Sequence, residues 1–179
     1  MPIDPSKATL SGGIAVAWGI GGFFLLMANA ITHLAGISLD ATRYTLTPLQ
    51  WLALLGGVVF MAYSEGYKGF QQNFSPRFAA RARYLSSSGS LLEKLLAPLF
   101  CMSFFNASKK RLVVAYSLLL MIVSFIILLR LVPQPWRGVI DAGVVVGLVW
   151  GLVSTAWCCY LAFSANDYSV DPELRYARY

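Results

Sequence analysis

Residues 138–163 read GVIDAGVVVGLVWGLVSTAWCCYLAF, an apolar stretch with a single charged residue, Asp141. A helix rises about 1.5 Å per residue and the hydrocarbon core of a bilayer is about 30 Å thick, so some 20 apolar residues cross it. Three more stretches reach that length, at residues 12–39, 47–67 and 112–132. Of the 179 residues 58% are hydrophobic and 12% charged, about half the charge of a soluble domain. The fold class that follows is an all-α integral membrane protein, with four transmembrane helices in one compact bundle. Residues 1–179 make one polytopic membrane domain, with a connection at 68–110 and a polar tail at 164–179.

Charge sets the orientation. Lys68, Arg77, Arg81, Arg83, Lys94, Lys109, Lys110 and Arg111 all lie between the second and third stretches, and Lys7, Arg175 and Arg178 join them if the chain crosses four times. Only Arg43, Arg130 and Arg137 fall on the other side. Basic residues stay on the cytoplasmic face, so both termini and the connection are expected there, most simply in a bacterial inner membrane, with an organelle membrane as the other setting. The net charge of +6 is therefore a topology signal and not a nucleic-acid footprint. Lys7, the run Ile14–Met27 and Ala28-Asn29-Ala30 imitate a cleavable signal peptide. The apolar continuation through Ile31–Leu39 favours a retained helix.

Helix packing is written in small residues. Gly143, Gly147, Gly151 and Thr155 form an unbroken four-residue row, and Gly13, Ala17 and Gly21 form a second row in the first span. Such rows let backbones approach closely, and the two are expected to face each other. The third span has no glycine and is expected to face lipid along much of its surface. Aromatic residues mark the headgroup levels: Trp51 and Trp136 outside, Tyr63, Tyr67, Trp157 and Tyr160 inside.

Thr47 and Pro48 suit an N-cap and first turn of the second span. In the connection, Ser75-Pro76 predicts a new, short amphipathic helix on the membrane surface, with Arg77, Arg81 and Arg83 as candidates to bind phospholipid headgroups. Ser86-Ser87-Ser88-Gly89 is a break, and Ser90 with Glu93 fits a capping box. The run Leu91–Phe105 carries Lys94 and Pro98 and reaches only about 22 Å as a helix, so it is expected to lie in the membrane plane or to enter and return. Asp171-Pro172-Glu173 predicts a helical turn in the tail.

Ionisable groups inside a membrane are costly and therefore default functional candidates. His33, Asn29 and Asp141 fall at similar depth near the outer surface and could form a proton or cation pocket; Asp141 could instead pair with Arg137. Glu65 lies with Tyr63, Tyr67 and Lys68 in the densest polar-aromatic cluster of the chain, where it could pair with Lys68, accept from Arg77 or Arg81, or bind a cationic ligand. Cys101, Cys158 and Cys159 form no Cys-x-x-Cys pattern and suit apolar filling. With His33 as the single histidine, bis-histidine haem binding within one chain is excluded. No metal or cofactor motif occurs, and no catalytic set or phosphate loop.

The expected function is a non-enzymatic membrane component that packs with membrane lipids, with further copies of itself, or with a partner membrane protein. A small transporter or channel subunit using Glu65 or Asp141 is the first alternative. A membrane enzyme acting on lipid is the second.

Overall fold

The computed structural model describes residues 9–164 and 168–175, and every regular element among them is helical. α1 (Leu10–Asp40) runs on into a short 3-10 turn, Ala41–Arg43. α2 (Pro48–Met61) passes without interruption into a π-helical segment, Ala62–Phe74, and then into α3 (Ser75–Ser88). Two short helices follow, α4 (Leu91–Leu95) and α5 (Ala97–Cys101), before α6 (Lys109–Leu129) and α7 (Trp136–Ser164). Among the described residues three helices are long and apolar enough to cross a membrane: α1 with its 3-10 end, α6 and α7.

Local chemistry explains several boundaries. Thr47 caps α2, its side chain accepting from the Gln50 N–H while the Gln50 side chain accepts from the Thr47 N–H, with Pro48 in the first turn. Ser90 and Glu93 repeat this reciprocal box at α4. Leu96 breaks the helical path between α4 and α5, two residues before Pro98. That is where a ring without an N–H ends a helix that approaches it from the N-terminal side.

The structure departs from two sequence expectations. The second apolar stretch is α-helical only to Met61, and Glu65 lies on a π-helical backbone. Ser75-Pro76 starts no separate surface helix, because Ser75 is itself helical and α3 continues the rod of α2. Pro76 is accommodated directly after the wide π turns, where the missing N–H removes no regular α-helical bond (a π segment shifts the ladder by one residue).

The rod α2–π–α3 packs along α7, and its α3 part also packs along α1. The core lies where α1, α3, α5 and the end of α7 converge, around Phe23, Phe78, Ala82, Leu85, Phe100 and Cys159. Phe23 meets Phe78 at a ring distance of 4.7 Å and Phe74 at 5.4 Å. α6 stands apart: of its 21 residues only Leu129 is buried.

Candidate functional site

The small-residue row of α7 is a seam, but its partner is the α2–π–α3 rod. A Cβ built on Gly143 would lie 3.1 Å from the Gly57 carbonyl oxygen, and one on Gly147 would lie 3.3 Å from Glu65 Cβ and 3.4 Å from the Met61 carbonyl oxygen. On Gly151 it would lie 2.5 Å from the Phe70 ring. The row ends at Thr155, whose Oγ1 shares a 2.9 Å hydrogen bond with Ser75 Oγ. Gly66 returns the fit from the other side, taking the Trp150 side chain.

The expected partner row on α1 is displaced. Gly13 and Gly21 have nothing within 4 Å of a built Cβ, and Ala17 is exposed. The packed face is Gly12, Ala15, Gly19, Phe23 and Met27. Its steps are three, four, four and four residues, which keep the five positions within about 120° of one side of the helix. Gly12 abuts the Ser86 carbonyl, Gly19 meets Ala97, and Gly22 meets Pro98.

Glu65 is half-buried against Gly147 and, among the described residues, makes no hydrogen bond or ion pair. Lys68 does not reach it. Its Nζ lies 4.8 Å from the centroid of the Tyr63 ring, which stacks on Tyr67 at 6.1 Å. Trp150 Nε1 donates to Gln71 Oε1 at 2.9 Å. An apolar groove of about 620 Å³ opens beside this pair, lined mainly by Val146, Val149, Val153 and Trp157.

At the other end of α7, Asp141 is 1% exposed, and its Oδ2 lies 3.8 Å from Arg137 Nε, beyond hydrogen-bond length. Arg137 is thus the partner that the simpler reading expects. His33 and Asn29 of α1 are both exposed.

Two of the three arginines of α3, Arg81 and Arg83, are buried and do not form the expected basic surface. Arg81 is 1% exposed and is a structural hub. Its Nε donates to the Phe100 carbonyl at 2.7 Å, Nη1 to that of Pro172 at 3.0 Å, and Nη2 to those of Phe105 and Asn106 at 2.9 and 3.2 Å. Its Cζ lies 4.1 Å from the Phe100 ring centroid. Burial holds the guanidinium down to about 10, so it remains charged at neutral pH. Arg81 therefore serves the carbonyls of an irregular segment, where Ser103 and Asn106 have positive φ, and cannot reach Glu65 or a headgroup. Arg83 is also buried. Arg77 alone of the three is half-buried. Burial pushes the neighbouring Cys101 thiol up to about 12, so it is no thiolate nucleophile near neutral pH.

The tail completes this end. Tyr168 Oη donates to the Pro76 carbonyl at 3.0 Å. Asp171-Pro172-Glu173 starts no helical turn. Instead the Glu173 N–H donates to Asp171 Oδ1 at 2.7 Å, and Glu173 closes a bidentate ion pair with Arg111, at 2.6 and 2.9 Å. Sequence reasoning missed Arg111, Tyr168 and Glu173 as partners, because contacts across 62 or 92 residues leave no periodic signal. Among the described residues no group of three or more His, Cys, Asp and Glu could hold a metal ion. No protein-family model, curated protein or solved structure matches the chain.

Proposed function

We propose that the chain is a non-enzymatic, four-pass membrane component that packs with a partner membrane protein, with copies of itself, or with lipid. The observation that carries this reading is α6. A 21-residue apolar helix with one buried residue has its contact surface turned away from its own chain. The polar groups of the inner end are meanwhile spent on internal bonds, above all those of Arg81.

The topology belongs to the same reading. α2 and the start of the π segment supply the second crossing, to about Lys68, and both termini lie in the cytoplasm, most simply of a bacterium. Leu91–Phe105 is a shallow re-entrant segment. Its support is the path along α1: Lys94 Nζ meets Ser11 Oγ at 3.0 Å, Trp18 Nε1 donates to the Leu95 carbonyl at 3.1 Å, and Pro98 meets Gly22. Those contacts climb about 16 Å of α1. The chain then returns past Phe104, which contacts Tyr116 of α6, to Lys109. Leu91, Leu92, Leu95 and Leu99 point outward along the climb, as lipid contact requires.

Native mass spectrometry of the tagged protein, extracted gently from its own membrane, tests the assembly. A stoichiometric partner or fixed homo-oligomer is the expected result, and a bare monomer without retained lipid would refute it. One observation favours the transporter alternative: Glu65 is unpaired on a π-helical segment, a geometry concentrated at functional sites. If that alternative holds, Glu65→Gln abolishes flux in proteoliposomes with the fold intact. Undiminished flux in the variant would remove Glu65 from the pathway.

A further inference from the structure

Glu173 is bonded to one cation and lies within the electrostatic reach of two more. Both its carboxylate oxygens are taken by Arg111, while Arg77 and Lys110 add their attraction, and together they hold the carboxyl below the usual carboxylate range. Arg77 feels both Glu173 and the repulsion of Arg111, yet among the described residues it makes no hydrogen bond or ion pair. The chain is bent to deliver this carboxylate. Glu173 adopts φ 49, a left-handed conformation uncommon for a non-glycine residue, and the Ser108 N–H donates to its carbonyl at 3.1 Å.

A carboxylate has two oxygens, and here Arg111 uses both. A tetrahedral phosphate has further acceptor oxygens at other angles, so one face can keep the bidentate bond to Arg111 while another reaches Arg77. We propose that Arg77, Lys110 and Arg111 form a binding site for a phosphate-bearing anion, and that Glu173 occupies it as an internal stand-in that the ligand displaces. The site lies at the start of α6, immediately before the apolar run from Leu112. In the four-pass topology, on which only the lipid source depends, that is headgroup level, and the ligand is an anionic phospholipid. Free phosphate shares the same chemistry and is the other source.

The test counts phosphatidylglycerol molecules retained by the purified full chain in native mass spectrometry. Glu173→Gln raises retention about tenfold, the scale of one charge-assisted hydrogen bond. Arg77→Gln in the Glu173→Gln background returns retention to the wild-type level. Asp171→Asn makes the same change in net charge on the neighbouring turn and leaves retention unchanged. Equal retention by Glu173→Gln and wild type overturns the proposal, as does an equal rise in Asp171→Asn. Displacement of the lipid by millimolar inorganic phosphate assigns the site to free phosphate, and resistance assigns it to headgroups.

A second measurement needs no variant. Amide exchange of residues 168–175 in wild-type protein is faster in phosphatidylglycerol nanodiscs than in phosphatidylcholine nanodiscs if the lipid displaces Glu173. Identical exchange in the two rules out displacement by lipid. Loss of a partner protein in the assembly experiment would leave both readouts unaffected, so the two proposals fail separately.

Discussion

α6 and α7 adjoin in the chain and are both long and apolar enough to cross a membrane, yet α7 buries ten of its residues and α6 buries one. Four of the ten are glycines, and the close approaches on α7 are to the side chain of Ala41, the backbone of Gly57, the ring of Phe70 and the hydroxyl of Ser75. α6 has no glycine and is held mostly at its N-terminal end, by the Arg111–Glu173 ion pair and by Tyr116, whose Oη donates to the Phe104 carbonyl. The difference teaches that apolarity takes a helix into lipid but does not bring it against another helix. Lipid tails compete equally well for leucine, so contact within a bilayer comes from shape and hydrogen bonds. The more apolar of the two helices is accordingly the less packed.

The largest expected effect tests the same contrast on adjacent residues of α1. Gly12→Leu must push a side chain into the Ser86 carbonyl, whereas Gly13→Leu enters open space. Overpacking against backbone is expected to cost about 3 kcal/mol or more. Gly13→Leu should stay within about 0.5 kcal/mol of wild type. Unfolding of the purified variants in mixed micelles measures both, and equal losses would mean that α1 presents a different face.

A smaller effect separates packing from charge. The Glu173 carboxyl is held below its ordinary value, chiefly by its hydrogen bonds to Arg111. The pair therefore contributes stability above the unfolded-state value and loses it as pH falls through the folded-state value. Amide exchange of residues 168–175, corrected for intrinsic rates, is expected to rise at a pH below the ordinary glutamate range while α7 stays protected. Glu173→Gln should show no such transition. A wild-type tail that remains protected throughout would show that charge does not tether it.

The smallest effect belongs to the exposed face of α6. Leu120 is 69% exposed, and Leu120→Ala is expected to change stability by less than about 0.5 kcal/mol while reducing the partner or oligomer retained in native mass spectrometry. Unchanged retention would move the assembly surface off that part of α6.

Legibility in the sequence followed distance along the chain. The N-cap at Thr47 and the capping box at Ser90 are written within four residues, and both formed as read, while the return bond from Gln50 that makes a box of the first was not read. The glycine row of α7 was readable as a packing seam, because a row of missing side chains marks a face whatever covers it. Its partner was not readable. Gly13, Ala17 and Gly21 match the same motif, but α1 turns Gly12 and Gly19 inward. Ser75-Pro76 looked like a helix start, and only the π-helical lead-in from Ala62 allows the rod to continue through it.

By itself the sequence determined how much apolar length the chain carries, where its positive charge concentrates, and the caps at Thr47 and Ser90. These are properties of composition and of neighbours three or four residues apart. The tertiary structure alone decided that Arg81 is an internal donor to four carbonyls, that Glu173 closes on Arg111, and that α7 is seamed to the rod of α2. Those outcomes depend on which faces meet once the helices are side by side. A buried guanidinium and an exposed one are the same letter until the irregular backbone of Phe100–Asn106 supplies the carbonyls that keep it in the interior.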